Sequence, residues 1–560
     1  MIDKFLSSKW TKLWFAVSAA AFVGLNLSRG NIIGMISNIP VAFAITLFLE
    51  HRYKILGKLF EVRSKKYVWI SIPIAVYIAT EIVLCFHNVR IARLFASTEN
   101  TFALKIQELI PEQFLRIGLY SVSVVAGIVA FFVLFAVVYV VISHFNKRVA
   151  TKLWYQAEQK ERVYFITVVS IFGVYIAIVY SLSAIFIDGG SNFPYPPDSI
   201  IYDLDGGKNF SRDAQFNFAS VTVKKLFYPL VNLPLSLSAH ALGRILFFIP
   251  ASYLYLVQVF HMGLMAGSAI LLARMCKITG FSRIYFLLLY TFSYPFLVFS
   301  TQLERYVLPT FCIILFMYVC IYIPQVKRIV AMAASGTLMT SLVVFPFVAY
   351  SKDIKTWFLN LLKICSVFIT VCIFCGTLSL IFGSIQFILD ELDKYAGGGV
   401  STTQKALQFI NFISSIFVRP ETILAYRVSL DENFEYITYA LAPVVSVSWL
   451  GIVLITLSVA GFVINRKHQF VRMSFLWAIF TVIVVFVIGW YTNGNSAFLG
   501  TLYFGWAFFV LVFMFFEKLL EKQRIVKYAV YSLAFIAMTT LNIAGIADLI
   551  KFVVQYYPAR

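Results

Sequence analysis

Five aspartates lie close together in one polar stretch of an otherwise apolar chain: Asp188, Asp198, Asp203, Asp205 and Asp213. A carboxylate at a membrane surface can act as a general base that takes the proton from an acceptor hydroxyl or amine. The two-residue spacing of Asp203 and Asp205 also suits a divalent cation, Mg²⁺ or Mn²⁺, that would neutralise a phosphate. A solvated acidic surface loop is a third interpretation, and the spacing alone leaves all three open.

Two further groups of residues could bind a phosphate. Lys224 and Lys225 precede a Tyr228-Pro229 element, in an apolar stretch too short to cross a bilayer. We expect this stretch to lie along the outer interface, where its lysines either meet lipid phosphates or only reach the headgroup region.

The second group is Glu304-Arg305-Tyr306, in the turn between two apolar segments. A guanidinium there can clamp a phosphate through two hydrogen bonds. The alternative is a structural ion pair between Arg305 and Glu304, because charged residues beside membrane spans are costly unless they are paired or functional.

The composition limits the kinds of protein that could hold these residues. Of 560 residues, 61% are hydrophobic and 13% are charged, which excludes an ordinary soluble enzyme and a disordered chain. Apolar runs long enough to cross a bilayer recur along the chain, so we predict an all-α, polytopic membrane helical bundle. The 46 basic residues exceed the 26 acidic ones and cluster in short loops, which indicates topology signals and contacts with membrane lipids, not nucleic-acid binding.

The basic loops predict the topology of a plasma (inner) membrane protein with a cytoplasmic N-terminus. We expect about thirteen spans, with a broken or re-entrant helix over 329–350 and two polar stretches, 188–236 and 384–436, on the outer face. Four regions follow: an N-terminal membrane region of four spans, a membrane core that includes the first outer loop, a second outer loop, and a C-terminal membrane region of four spans. Their bounds are 1–162, 163–383, 384–436 and 437–560. The predicted spans are 163–187, 250–274, 284–303, 306–324, 358–383, 437–462, 470–489, 500–516 and 527–548, after the hairpins 13–49 and 67–143.

Several short motifs resemble the GT-C superfamily of polytopic glycosyltransferases, akin to protein O-mannosyltransferases and the lipid A aminoarabinose transferase. These are the Tyr228-Pro229 element after an acidic loop, Gly243-Arg244 at the start of a span, the segment from Ser293-Tyr294-Pro295 to Glu304-Arg305-Tyr306, and the segment from Gly336 to Pro346, which is rich in small residues and threonine. The resemblance covers about 163–383.

The resemblance implies transfer of a sugar from a polyprenyl-phosphate donor to a glycan, lipid or protein acceptor at the outer face, in modification of a cell-envelope glycan or glycolipid. It implies an acidic catalytic residue in the first outer loop, for which Asp198, Asp203 and Asp205 are the candidates. Arg305 is expected beside the donor phosphate. The other residues assigned to substrate binding are Glu304, Tyr306, Tyr228, Lys224, Lys225 and Asp213.

Two other functions remain open. A transporter or flippase of lipid-linked sugars would have polar residues near mid-membrane and an internal repeat of spans, and we find no convincing repeat. A polysaccharide polymerase or ligase would also work at the outer face through a large loop. No nucleotide-binding fingerprint is present in the sequence, which disfavours a nucleotide-sugar donor used from the cytoplasm.

Overall fold

The computed structural model describes residues 157–183, 200–202, 225–226, 228–246, 252–374, 400–428, 435–490 and 498–558, with a few isolated positions before 157. The two N-terminal hairpins predicted over 13–49 and 67–143, and most of both predicted outer loops, lie outside these residues.

The described chain is mostly helical and carries one antiparallel β-hairpin. The elements, in chain order, are α1 (Gln159–Leu182), α2 (Tyr228–Ile245), α3 (Ser252–Met275), α4 (Gly280–Thr291), α5 (Tyr294–Thr301), α6 (Val307–Tyr322), α7 (Lys327–Thr337), α8 (Phe345–Ala349), α9 (Ile354–Phe374), α10 (Thr402–Ser415), β1 (Thr422–Val428), β2 (Glu435–Leu441), α11 (Trp449–Asn465), α12 (Gln469–Thr481), α13 (Thr501–Leu519) and α14 (Arg524–Tyr556).

Five helical segments of the described chain are long and apolar enough to cross a membrane. This finding confirms the prediction of a helical membrane protein, while the total of thirteen spans stays a prediction. A sixth span results if α4 and α5 are counted together across their 54° bend. The five segments are Gln159–Leu182, Ser252–Met275, Gln469–Val487, Phe498–Leu519 and Arg524–Tyr556.

The bend between α4 and α5 divides the segment predicted as one span over 284–303. Ser293 is extended (φ −65°, ψ 146°), and Pro295 follows in the first turn of α5. Proline disfavours helical geometry in the residue before it and cannot donate a backbone hydrogen bond, so the helix restarts in a new direction. The segment predicted as broken over 329–350 is broken: α7 ends at Thr337, Leu338 is extended, and a 3₁₀ helix over Met339–Val344 leads into α8.

The span predicted over 437–462 is wrong in its first part. Residues 435–441 form β2, which pairs with β1 in antiparallel register, with Thr422 opposite Leu441. The segment from Ile437 to Leu441 is rich in β-branched and aromatic residues, which favour a strand. The helix α11 begins only after Ser448, whose hydroxyl accepts a hydrogen bond from Gly451 N.

The chain divides into two compact units. The first contains residues 1–157, 212–233 and 338–382, and the second contains 158–211, 234–337 and 383–560. In the first unit, α8 packs on α9 through the rings of Phe345 and Phe368, 5.5 Å apart, and Trp357 donates to Pro346 O at 3.0 Å. Asp353 caps α9 by accepting from Thr356, and these hydrogen bonds lower the pKa of the Asp353 carboxyl.

The helix α13 lies at the centre of the second unit. Its apolar stretch is 89% buried, whereas that of α14 is 28% buried. The helix α11 approaches α13 closely at Gly461, where a Cβ atom would lie 2.2 Å from Leu511 O. Small residues allow this kind of close helix packing in membranes.

Many of the side chains on the surface of the second unit are apolar and exposed. On α1 they recur as Val163, Ile166, Val174 and Ile178, which is the spacing of one helix face. An exposed apolar face of this kind is typical of a helix that can lie against lipid.

Basic loops gather at one end of the second unit, which we call the basic end (residues 158–162, 274–283, 465–472 and 517–528). The buried Glu161 accepts hydrogen bonds from Arg274, at 2.9 Å, and from Arg283. Nearby, Lys527 donates to Glu517 at 2.9 Å. Burial, and then the positive charge of Lys277, lowers the pKa of His468.

The opposite end of the same unit contains the β-hairpin, and we call it the hairpin end. The helix α14, which begins at the basic end, reaches it at Tyr557, whose hydroxyl donates to Ile437 O at 2.6 Å. The helix α1 also runs from the basic end to the hairpin end, where Ser183 donates to Tyr557 O. The second unit therefore has two chemically distinct ends.

Candidate functional site

The described residues 200–202 attach the predicted acidic loop to the hairpin. Tyr439 N donates to Ile200 O at 2.7 Å, and Tyr202 N donates to Tyr439 O at 2.9 Å. Ile201 pairs with Tyr439 as an isolated parallel bridge, and all three residues of the segment are buried. The backbone is therefore fixed on β2 immediately before Asp203.

Tyr202 has a left-handed backbone conformation with φ 52°. For a bulky L-residue this conformation costs about 1–2 kcal/mol, so the surroundings must maintain it. Both backbone hydrogen bonds to Tyr439 contribute. Strained residues of this kind concentrate at functional sites, which makes the turn before Asp203 a candidate positioning element.

Three tyrosines and a phenylalanine surround this turn, and we call them the tyrosine cluster: Tyr202, Tyr294, Tyr439 and Phe498. The Tyr202 and Tyr294 hydroxyls share a hydrogen bond of 2.7 Å, and the Tyr202 ring lies 4.8 Å from Phe498. Burial raises the pKa of Tyr202 and of Tyr439 above the ordinary value, so both phenols stay neutral. The cluster acts through hydrogen bonds and ring packing.

Arg419 lies beside this cluster, four residues after the end of α10. Its guanidinium donates to Asp548 on α14 at 2.5 Å, and its backbone N donates to Asn542 Oδ1 at 2.9 Å. A Cβ atom at Gly545 would lie 2.7 Å from Arg419 Cδ and 2.8 Å from Tyr294 Cε2. Glycine therefore lets α14 approach both residues.

Asn542 connects three elements in the interior of the second unit. Its Nδ2 donates to Phe417 O at 2.7 Å and to Phe292 O at 2.8 Å, while its Oδ1 accepts from Arg419. The side chain is fully buried, and a polar group in a membrane interior is stable only when its hydrogen bonds are satisfied. Asn542 thereby fixes the position of Arg419.

A cavity of about 270 Å³ opens next to Arg419. Its walls come from α10, the segment that follows it, the end of β2 and the start of α11, and Phe498 of the tyrosine cluster also lines it. Charged and polar side chains alternate there with apolar ones, as is common in small-ligand sites.

The predicted catalytic carboxylates Asp198, Asp203 and Asp205 lie outside the described residues, as do Asp213 and Lys224. The role of Asp203 and Asp205 as metal ligands therefore stays a prediction. Asp203 is nevertheless bonded to Tyr202, and adjacent Cα atoms are about 3.8 Å apart. Among the described residues, no group of three His, Cys, Asp or Glu side chains could hold a metal ion.

The predicted Glu304-Arg305-Tyr306 turn links α5 to α6. Glu304 is fully buried, and its Oε1 accepts a hydrogen bond from Arg305 N at 2.7 Å, while Arg305 and Tyr306 are half-buried. Tyr306 O accepts from the Thr310 hydroxyl in the first turn of α6. The turn is therefore ordered by local bonds.

This turn lies at the hairpin end. Phe299 in α5 stacks on Phe498 at 5.8 Å, which places the end of α5 beside the tyrosine cluster. The other end of α6 is at the basic end, where the Tyr322 hydroxyl donates to Arg274 O at 3.3 Å. Arg305 and residues 200–202 of the predicted acidic loop thus lie at the same end of the second unit.

Lys225 and Tyr228 belong to the first unit, where both are buried. The burial of Lys225 differs from the lipid-facing position expected of an interfacial lysine.

Arg419, Asp548 and the cavity were missed at the sequence level. Asn542 was the sequence feature that indicated this region, because a polar residue inside a long apolar helix needs a hydrogen-bond partner. The partner itself is 123 residues away, and spacing in the sequence does not reveal it.

No protein-family model, curated protein or solved structure matches this chain. The fold and the site therefore rest on the residues themselves.

Proposed function

We propose that the protein is a membrane glycosyltransferase, similar to the GT-C superfamily, that transfers a sugar from a polyprenyl-phosphate donor to an acceptor at the outer face of the membrane. The observation that carries this proposal is the attachment of residues 200–202 to β2 at the end of the unit where Arg305 lies. This arrangement supports the proposal that a loop aspartate, as the general base, and the Arg305 guanidinium, as the phosphate-binding group, act in the same region.

The uneven distribution of charge supports the orientation. Exposed basic side chains such as Lys277, Arg466 and Lys522 lie at the basic end. Short loops rich in lysine and arginine are retained in the cytoplasm, so the hairpin end faces outward. Tyr202 and Arg419 are then on the side where the resemblance predicts catalysis.

The reaction is a single displacement. An acceptor hydroxyl attacks the anomeric carbon, and one of the loop aspartates takes its proton. The bond between that carbon and the phosphate oxygen breaks, and the polyprenyl phosphate leaves with its charge stabilised by Arg305. Because attack and departure occur on opposite faces, the anomeric configuration inverts.

The test is transfer from a lipid-linked donor in proteoliposomes by Asp198→Asn, Asp203→Asn and Asp205→Asn. The variant that lacks the base should lose about 100-fold or more in turnover, the usual contribution of a general base. Glu521→Gln, which changes an exposed carboxylate at the basic end, is the matched control and should keep full turnover.

Full turnover in all three variants would contradict the assignment of a loop aspartate as the general base. The same assay separates a flippase, which would carry the lipid-linked sugar across the bilayer and leave the acceptor unmodified. Chelation with EDTA then separates the two roles of Asp203 and Asp205, since only a bound cation makes transfer sensitive to the chelator.

A further inference from the structure

The cavity beside Arg419 has walls whose hydrogen-bonding capacity can be worked out from the contacts of their side chains. Asn411 Nδ2 donates to Leu407 O at 3.0 Å and to Ser446 O at 3.1 Å. Carbonyl oxygens only accept, so both amide hydrogens are used and Oδ1 is left to accept. This assignment requires no choice between alternative orientations of the amide.

Two serines on the same wall are also oriented by their hydrogen bonds. The hydroxyls of Ser414 and Ser415 each donate to Asn411 O at 2.8 Å. A hydroxyl has a single hydrogen, so each oxygen keeps only lone pairs for a ligand. Together with Asn411 Oδ1 and the carboxylate of Glu421, this wall presents acceptors, and a ligand that fits it must supply hydrogen-bond donors.

The charges at the cavity disfavour a phosphate. Arg419 and Glu421 are the charged residues of the lining, and Arg419 is already paired with Asp548 at 2.5 Å. The three groups sum to one negative charge. This net charge repels a phosphate, which is itself negative, whereas an uncharged hydroxyl can donate to the acceptor wall and also accept from the Arg419 guanidinium.

The rim of the cavity is apolar and exposed. Val445 is 84% exposed and lines the cavity, as do Val447 and Leu450, and Trp449 at the start of α11 is 78% exposed. Tryptophan at the end of an apolar helix is typical of the membrane interface. An occupant can therefore keep its polar part in the cavity and an apolar chain against this rim.

We propose that this cavity binds the uncharged, hydroxyl-rich headgroup of an amphiphile, with its apolar tail in the bilayer. Its volume of about 270 Å³ corresponds to about nine water molecules at about 30 Å³ each, enough for a sugar ring but not for a long glycan. On the proposed function, on which this step rests, the occupant is the acceptor, and the acceptor class is a glycolipid or alkyl-linked sugar.

The experiment measures protection of an engineered cysteine. Ser446→Cys places a thiol on the cavity wall and leaves the backbone carbonyl that Asn411 binds. The variant, in phosphatidylcholine nanodiscs, is labelled with a maleimide in the presence of octyl glucoside or octyl phosphate below their micellar concentrations. The two probes share a tail and differ only in the headgroup. Thr403→Cys, exposed on α10 outside the lining, is the control, and wild-type labelling is subtracted.

Octyl glucoside should slow labelling of Ser446→Cys about fivefold or more, while octyl phosphate leaves the rate unchanged and Thr403→Cys is unaffected by either. Absence of protection by the glucoside, equal protection by the phosphate, or equal slowing at Thr403→Cys would overturn the proposal.

The same labelling on an Asp203→Asn background separates this proposal from the proposed function. If protection by octyl glucoside persists and none of the aspartate variants loses transfer, the binding site is supported and the proposed transferase mechanism is contradicted. Loss of transfer in an aspartate variant, without protection of Ser446→Cys by octyl glucoside, would support the transferase and contradict the binding site.

Discussion

The hydroxyl oxygens of Tyr202 and Tyr294 lie 2.7 Å apart, although 92 residues separate them in the chain. Tyr202 lies within the predicted acidic loop, immediately before Asp203, and Tyr294 begins α5, which leads to Arg305. One hydrogen bond therefore joins the two sequence elements to which the proposed chemistry is assigned.

Removing either hydroxyl should destabilise the protein without disrupting its helices. Tyr202→Phe and Tyr294→Phe should each cost about 1 kcal/mol of unfolding free energy, and the double variant should cost little more than either single one. The measurement is thermal or denaturant unfolding in detergent micelles. Strictly additive losses would mean that the two hydroxyls do not interact.

Asn542→Ala should be much more costly, because it leaves one buried N–H and two buried carbonyls without their partner. We expect a loss of about 3 kcal/mol, at about 1 kcal/mol for each hydrogen bond. Thr456→Ala removes an exposed hydroxyl from α11 and is the control. A similar melting temperature for both variants would contradict the bridging role of Asn542.

Glu161→Gln should destabilise the basic end by about 3 kcal/mol, since Arg274 loses its carboxylate partner and Arg283 keeps only its ion pair with the exposed Glu158. The exposed pair of Lys518 and Glu521 gives the matched control, Glu521→Gln, which should have no measurable effect on unfolding. Equal melting temperatures for the two variants would show that the buried cluster does not hold α1 in place.

His468 should make stability depend on pH. Its Nδ1 accepts from Val471 N at the start of α12, and its pKa is lowered by burial and by Lys277. The unfolded chain, with a histidine pKa of about 6.5, therefore binds the proton more readily, and this contribution to stability is lost as pH falls below that value. Melting temperature at pH 7.5 and 5.5 measures it.

In His468→Asn the cap is retained but the titrating group is removed. This variant should lose less stability between the two pH values than the wild type does. An identical loss in both proteins would assign the pH dependence to other groups.

Gly461→Ala should destabilise the packing of α11 on α13 by about 1–3 kcal/mol, because its Cβ would lie 2.2 Å from Leu511 O. At Gly173 in α1 the nearest atom to a Cβ is 3.7 Å away, so Gly173→Ala should be neutral or stabilising. The two variants are compared by unfolding. A neutral Gly461→Ala would mean that the two helices are not in close contact.

The long apolar helices could be predicted from the sequence, because a span is a local property of about 20 residues. The break over 329–350 was also predictable from Gly336 and Pro346. The β-hairpin was not predicted, because residues 437–441 are also apolar enough to read as the start of a span, and their β-branched and aromatic side chains alone did not outweigh that pattern.

The candidate site was only partly predictable. Arg305 and the acidic loop could be singled out because charges are rare in such a chain. The bridge from Tyr439 to Ile200 and the pairing of Arg419 with Asp548 depend on contacts between residues more than 100 positions apart. Spacing along the sequence carries no information about such contacts.

The central claim is tested most directly by an experimental structure with a bound polyprenyl-phosphate sugar, in which the distance from the phosphate oxygens to the Arg305 guanidinium is measured. The proposed function predicts a separation of about 3 Å, the length of a charge-assisted hydrogen bond, with an aspartate of the 188–213 loop next to the sugar. A phosphate bound at the basic end, near Lys277 and Arg466, would contradict it.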